Sequence, residues 1–282
     1  MAETRKPTTY RRGAGLKALT RTSRAVGRVR SCLLLDRWPR VKVRLRAAKH
    51  IALFLDFDGT LTPIQPHPED VWLDDATRRR LRRLAGHPRL TVVVISGRMR
   101  GDLVKRVRVP GLQYLGLHGQ ERVGRTPLAG PSFELLRRVR RALTVRLKDL
   151  QNLRIEDKRL SFVVHYRGAT GSAVQEAQRI LQDVLKPLGP ALRVLPGKKV
   201  WEVSPAGAPG KGAAVADIMK GLPAGTLPIY LGDDTTDESA FAALRKGVTV
   251  HVGTLRGSKA RYQLCDPAEV KEFMEKLEVE IS

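Results

Sequence analysis

Several short apolar runs punctuate the chain, and each gives way at once to polar residues and glycine. Ile51-Ala52-Leu53-Phe54-Leu55, Leu90-Thr91-Val92-Val93-Val94-Ile95 and Pro228-Ile229-Tyr230-Leu231 are the clearest. Runs this short and this uniformly apolar read as strands buried on both faces, the pattern of a parallel sheet. Helical periodicity lies between them. Leu81, Leu84 and Ala85 share one side of a helix that Asp74 or Asp75 can cap. Gly101 to Arg108 reads as a short helix, and Gln113 to Leu117 as a further strand whose exit turn carries His118 and Gly119. Lys211-Gly212 opens another helical stretch, and a last helix spans Pro267 to Leu277. This strand–helix alternation predicts a doubly wound parallel α/β core with right-handed crossovers.

The pattern changes after residue 122. Ser132 is an N-cap candidate for a helix with Leu135, Leu136, Val139, Leu143 and Leu147 on one side. Leu153 to Glu156 and Leu160 to Tyr166 read as strands around Asp157-Lys158-Arg159. A helix over Val174 to Leu185 follows, and then two strands flank Pro196-Gly197-Lys198. The expected organisation is a core over 48–122 and 205–282, interrupted by an α+β cap over 123–204. Such an insert is a candidate lid. Residues 1–47 are different again: rich in Arg, Lys, Thr, Ser and Gly, with Glu3 and Asp36 as the only acids. The expectation for them is a basic, disordered segment, loosely helical near 31–47 and dispensable for chemistry.

Composition narrows the class. With 282 residues and 42% hydrophobic positions the chain can bury one core and a smaller insert. Cys32 and Cys265 are its two cysteines and form no CxxC pair, so neither a disulfide framework nor a zinc module is expected, and the usage suits a reducing cytoplasm. The acid-poor N-terminus also fits an organelle transit peptide, the alternative location. No uncharged apolar run approaches a membrane-spanning length. The formal charge of +24 is spread over helical stretches such as Arg78-Arg79-Arg80 and Arg137-Arg138. That distribution reads as solvated helix faces rather than a nucleic-acid reader, and a diffuse positive field also helps to collect an anionic phosphate ester.

The strand ends carry the candidate chemistry. Asp56-Phe57-Asp58-Gly59-Thr60 follows the first apolar strand, and the carboxyl end of a central strand is where open α/β sheets place ligands. Two nearby carboxylates repel each other unless a cation or a shared proton intervenes, and Mg²⁺ is a natural hard, oxygen-seeking partner. The plain alternative is an acidic strand-to-turn junction. Ser96-Gly97-Arg98 follows the second strand, and Gly232-Asp233-Asp234 follows the third run. Asp237 and Glu238 either favour the N-terminus of the next helix or, for Asp237, reach the site.

These elements, in this order with Lys211-Gly212, resemble the haloacid dehalogenase (HAD) superfamily of phosphohydrolases. The resemblance implies Asp56 as nucleophile, Asp58 as proton donor and then base, and Ser96 and Lys211 as phosphoryl-binding groups. It implies Mg²⁺ held by Asp56, Asp58 through its carbonyl, Asp233 and Asp234. The cap narrows it further. Ile155-Glu156-Asp157-Lys158, Ser161, His165-Tyr166-Arg167 and Gly197-Lys198-Lys199-Val200-Trp201-Glu202-Val203 are similar to the trehalose-6-phosphate phosphatase family, as is the run Gly232 to Phe241. By motif position, Glu156, Lys158, Arg167, Lys198 and Glu202 would meet the distal glucose, and Thr60, Arg98, His118 and Gly119 join the substrate-binding candidates. Carboxylates accept from sugar hydroxyls and Lys and Arg donate to them; the alternative is that Glu156, Lys158 and Glu202 are exposed cross-strand charge pairs. One departure is Ser204, where the family usually has a basic residue. The implied function is Mg²⁺-dependent hydrolysis of trehalose 6-phosphate, with a trehalose-6-phosphate synthase as functional partner. The rivals are a HAD phosphatase for sucrose 6-phosphate or a glycosyl phosphoglycerate, and a non-catalytic phosphosugar or nucleic-acid binder on the same fold.

Overall fold

The computed structural model describes residues 33–123, 131–158, 160–197, 199–254 and 257–282. The first part of the core runs through α1 (Trp38–Ala47), β1 (Ile51–Leu55), α2 (Asp75–Gly86), β2 (Leu90–Ile95), α3 (Arg100–Val107) and β3 (Gln113–Leu115). The insert, or cap, comprises α4 (Pro131–Arg146), β4 (Arg154–Asp157), β5 (Phe162–His165), α5 (Gly171–Leu185), β6 (Leu192–Gly197) and β7 (Val200–Pro205). The chain closes with α6 (Lys211–Lys220), β8 (Leu227–Gly232), α7 (Glu238–Ala243), β9 (Val248–Val252), β10 (Tyr262–Leu264) and α8 (Pro267–Ile281).

The core sheet has the order β10-β9-β8-β1-β2-β3, and every pairing in it is parallel. All five residues of β1 are buried, as a central strand covered on both faces requires. Its side chains alternate between two apolar layers. Ile51, Leu53 and Leu55 join Leu45, Leu81 and Phe273 on one face; Ala52 and Phe54 join Val215 and Phe241 on the other. Helices therefore cover both sides, the doubly wound arrangement. The order of the strands turns at β1: β2 and β3 extend one way and β8, β9 and β10 the other. The residue after β1 thus lies at the switch point, where neighbouring connections leave in opposite directions and open a crevice.

The other sheet is antiparallel, in the order β4-β5-β7-β6. Period-two alternation gives it two chemically distinct faces. Phe162, Val164, Trp201 and Val203 pack with Leu136, Leu143 and Ile180 of α4 and α5. Glu156, Val163, His165 and Glu202 lie on the opposite face and line a cavity against the core. Ser132 falls in the first turn of α4, which begins at Pro131, so the expected cap position does not hold. Asp74 does cap α2, its carboxylate accepting from Thr77 N at 2.9 Å and Thr77 Oγ1 at 2.8 Å. Ser204 is buried, and its hydroxyl accepts from Arg193 Nε at 3.1 Å across the β6–β7 pair.

Residues 34–47 depart from the expected loose segment. Leu34, Val41 and Leu45 are fully buried in the main core layer. Trp38 meets Phe273 of α8 edge-on, with ring centroids 6.1 Å apart, and Arg44 donates to Gly247 O at 3.2 Å. Their i, i+4 and i+7 spacing is visible in the sequence, but the intervening arginines disguise it as a solvated stretch. Burying each of these aliphatic side chains is worth roughly 1.5–3 kcal/mol, and a whole domain is stable by only about 5–15 kcal/mol. A chain beginning at residue 46 is therefore expected to unfold or to melt far below the full chain. An unchanged melting temperature for that truncation would show that α1 contributes nothing to the core.

Candidate active site

Asp56 lies directly after β1, and its backbone N–H donates to Leu231 O at 3.0 Å, continuing the ladder with β8. The chain then folds into a tight turn. Gly59 N–H donates to Thr62 O at 2.8 Å, and Thr62 N–H and Oγ1–H both donate to Phe57 O at 3.1 Å. Gly59 has φ +88°, and a Cβ there would collide with the Asp233 carboxylate. Only glycine lets the turn after β1 close against the end of β8.

Lys211, at the start of α6, reaches under this turn and is 2% exposed. Its Nζ donates to Asp56 Oδ1 at 2.6 Å and to Asp237 Oδ1 at 2.7 Å. Tyr230 OH donates to the same Asp237 oxygen at 2.6 Å, and Asp234 N–H donates to Asp237 Oδ2 at 3.0 Å. Burial pushes the Asp56 carboxyl well above the usual carboxylate range; Lys211 opposes this, while Asp237 and Asp233 add to it. Burial disfavours the Lys211 ammonium, yet Asp237 and then Asp56 more than offset it and hold the lysine above its ordinary pKa.

Carboxylate oxygens of Asp56, Asp233 and Asp237 lie within 4.8 Å of one another. All three offer hard oxygen donors, and that donor chemistry fits a Mg²⁺ ion. Asp234 lines the cavity at the start of the short turn Thr235–Asp237, while the third acid of the cluster is Asp237, whose oxygens already accept from Lys211, Tyr230 and Asp234 N–H. Asp237 is fully buried and meets both Lys211 of the cluster and the N–H of Asp234 at the start of the short turn.

Asp58 points the other way. Arg98 Nε donates to Asp58 Oδ2 at 2.8 Å and Arg98 Nη2 to Asp58 Oδ1 at 2.6 Å, a two-pronged grip. Ser96 is buried at the end of β2, and its Oγ accepts from Arg98 N–H at 3.1 Å. His118 has φ +57°, in the left-handed region, and this turns its ring toward the cap. A Cβ on Gly97 would come within 2.9 Å of His118 Cε1, so the glycine between Ser96 and Arg98 makes room for the imidazole.

His118 Nε2 donates to Glu202 Oε2 at 3.1 Å, and Ser161 Oγ donates to Glu202 Oε1 at 2.7 Å. Burial works against the Glu202 carboxylate, but His118, Lys158 and Ser161 hold its pKa down at about 2. Its ionised form therefore stabilises the folded chain above the ordinary carboxylate range, and that contribution fades as pH falls toward 2. In the cap sheet Glu156 and Glu202 flank Val163 in one row, and His165 Nε2 donates to Glu156 Oε2 at 2.8 Å. Glu202 is thus a core–cap contact rather than an exposed cross-strand pair.

The cavity between core and cap measures about 1270 Å³. Asp56, Asp58, Ser96, Arg98 and His118 line its core side with Lys211, Asp233 and Asp234; Glu156, Lys158, Arg167 and Glu202 line its cap side. Two expected contacts do not line it. Gly119 packs against Ala214 of α6, where any side chain would collide. Thr60 is fully buried, and its hydroxyl has no hydrogen-bond partner among the described residues. Lys198 lies outside the described residues. Sequence reasoning missed Tyr230, which looked like one more apolar strand residue, and Asp102, which joins the Arg98 side chain to α3. Among the described residues no helix is long and apolar enough to cross a membrane.

A sequence profile described as trehalose-phosphatase matches residues 54–268. The chain is 32% identical over 255 residues to trehalose 6-phosphate phosphatase RA3 of Zea mays, covering 81% of this chain and 70% of that one. It is 34% identical over 245 residues to the trehalose-phosphate phosphatase of Mycobacterium bovis, covering 82% of this chain and 62% of that one. Among solved structures, the C-terminal domain of a Candida albicans trehalose-6-phosphate phosphatase shares the fold at a TM-score of 0.75 and 22% identity, over 90% of this chain and 99% of that one. The Aspergillus fumigatus trehalose-6-phosphate phosphatase aligns at a TM-score of 0.61 and 28% identity, over 88% and 99%.

Proposed function

The chain belongs to the trehalose-phosphatase family, and on that premise we propose that it hydrolyses trehalose 6-phosphate to trehalose and phosphate. The observation that carries this reading is a cavity lined on one side by the core and on the other by the cap. An acid–lysine cluster lies at the switch point of the core, and a row of carboxylates and cations faces it from the cap. A disaccharide phosphate has one end for each.

The reaction we propose proceeds in two steps. The Asp56 carboxylate attacks phosphorus, the bond from phosphorus to the sugar oxygen breaks, and Asp58 supplies the proton that this oxygen takes. Water then attacks the aspartyl-phosphate, passes a proton back to Asp58 and frees Asp56. Lys211 aims the Asp56 oxygen and offsets charge on the transferring group. Asp56, Asp233 and the Asp58 carbonyl would hold Mg²⁺, which when bound supplies positive charge to the phosphoryl oxygens. Because Arg98 occupies both Asp58 oxygens, proton transfer requires Asp58 to release at least one of them. Ser96 would meet the phosphoryl end, with Arg98 beside it as the partner of Asp58. Glu156, Lys158, Arg167 and Glu202 would meet the distal glucose, with His118 exchanged for sugar hydroxyls at Glu202. A trehalose-6-phosphate synthase would supply the substrate.

Phosphate release from a panel of sugar phosphates tests this. Trehalose 6-phosphate is expected to be hydrolysed with the highest kcat/KM, and a chelator is expected to stop release until Mg²⁺ is restored. Preference for sucrose 6-phosphate or a glycosyl phosphoglycerate would overturn the substrate assignment. The cap variants Glu202→Ala and Lys158→Ala belong in the same panel. Losing a charged hydrogen bond to the distal ring costs roughly 1.5–3 kcal/mol, about ten- to a hundred-fold in kcat/KM. A small phosphate ester without that ring is expected to be nearly unaffected. Equal responses from both substrates would remove these residues from sugar recognition.

A further inference from the structure

Arg98, Asp102 and Arg106 recur every four residues along α3 and its approach, on the face that looks into the cavity. An exposed i, i+4 ladder of this kind is worth little. This one is largely buried: the side chains of Arg98 and Arg106 are 12% and 10% exposed. Every nitrogen of the Arg98 guanidinium is used. Nε and Nη2 hold Asp58, Nη2 also donates to Pro68 O at 2.8 Å, and Nη1 donates to Asp102 Oδ2 at 3.0 Å. Its cation sits 5.6 Å from the Phe57 ring centroid. Arg106 Nε donates to both Asp102 oxygens, at 2.9 and 2.8 Å, and Arg106 Nη1 donates to Glu69 O at 2.8 Å and Val71 O at 2.7 Å. Asp102 is therefore the joint between the cation on Asp58 and the segment 68–71 at the cavity wall.

We propose that Asp102 is a positioning residue for the hydrolysis: it is the counter-ion that Arg98 keeps when Asp58 turns from Arg98 toward the phosphate ester. Among the described residues, Asp58 and Asp102 are the carboxylates paired with Arg98. A buried guanidinium that loses its last carboxylate is strongly disfavoured. With Asp102 in place, Asp58 can leave and Arg98 remains paired. Without it, Arg98 holds Asp58 and the proton for the departing sugar oxygen is withheld.

This inference rests on the reading of Asp58 as the proton donor, and the test separates the two. A donor matters most when the leaving oxygen is strongly basic and least when it departs readily as an anion. Asp102→Asn and Asp58→Asn are compared on trehalose 6-phosphate, phenyl phosphate and 4-nitrophenyl phosphate, with kcat/KM as the readout and a melt for each variant. Asp102→Asn is expected to lose about 10- to 10³-fold on trehalose 6-phosphate, less on phenyl phosphate, and under about threefold on 4-nitrophenyl phosphate. Asp58→Asn should give the same gradation with larger losses. If Asp102→Asn does not fold, Asp102→Ser, which leaves room for water between the two guanidinium groups, is held to the same gradation. An even loss across the three esters, or no loss, with Asp58→Asn still graded, overturns the role of Asp102 and leaves that of Asp58 intact. An even loss in Asp58→Asn overturns both.

Discussion

Asp56→Asn is expected to lose turnover by at least about 10⁴-fold, the scale on which a nucleophile's removal acts, while keeping the fold. Asparagine has the shape of aspartate, and its amide oxygen can still accept from Lys211 Nζ, which lies 2.6 Å from Asp56 Oδ1. What it lacks is the anionic oxygen that attacks phosphorus. The substitution also removes one of three clustered acids. Burial and the neighbouring Asp237 and Asp233 already disfavour the charge at this position. The variant should therefore melt no lower than the parent in metal-free buffer. Phosphate release and thermal melts on the same preparation check both halves. Acid-quenched parent protein should also carry covalent phosphate that the variant lacks. Turnover within a hundredfold of the parent, in a folded and contaminant-free variant, would remove Asp56 from the nucleophile's role.

The parts of this arrangement that were legible in the sequence are those whose signal is local. Ile51–Leu55 announces itself because a central strand needs apolar side chains on both faces, and Gly59 because the turn after it needs positive φ. Asp56 and Asp233 stand at strand ends of this kind, whereas Lys211 before Gly212 has no local signal of its own and stands out only through the order of motifs that the resemblance rests on. Asp237 was harder, since an acid in a first helical turn has a sufficient local reason to be there. Its burial against Lys211 and Tyr230 comes from the packing of α6 and α7 on β8, which no window of sequence contains. Asp102 is concealed in the same way, because on paper it is one half of an ordinary i, i+4 pair. The buried face of α1 was masked by charge, with Val41 and Leu45 four apart among arginines and lysines. Those cations are not all solvated. Arg80 pairs with Glu275 at 2.8 Å, and Arg83 pairs with Glu278, so part of the positive excess stitches α2 to α8.

Lys211→Met is expected to abolish activity and to destabilise the fold at once, unlike Asp56→Asn. Lys211 is the ammonium that bonds both Asp56 and Asp237, and all three side chains are almost fully buried. Removing one partner from a buried ionic group costs roughly 3–5 kcal/mol, because the remaining charges lose their counter-ion without regaining water. For a chain of this size that corresponds to a fall of roughly 6–20 °C in melting temperature. Tyr230 OH still donates to Asp237, but a neutral hydroxyl does not replace the charge. Stability and chemistry can be separated by adding Asp237→Asn. The double variant carries one fewer uncompensated acid and is expected to recover several degrees of the loss, a coupling that distant sites would not show. It should not recover turnover, because nothing then aims Asp56 or offsets charge on the phosphoryl group. Recovery of activity together with stability would mean that Lys211 serves the fold alone. An undiminished melting temperature in Lys211→Met would mean that Lys211, Asp56 and Asp237 do not share the buried charge balance described for them.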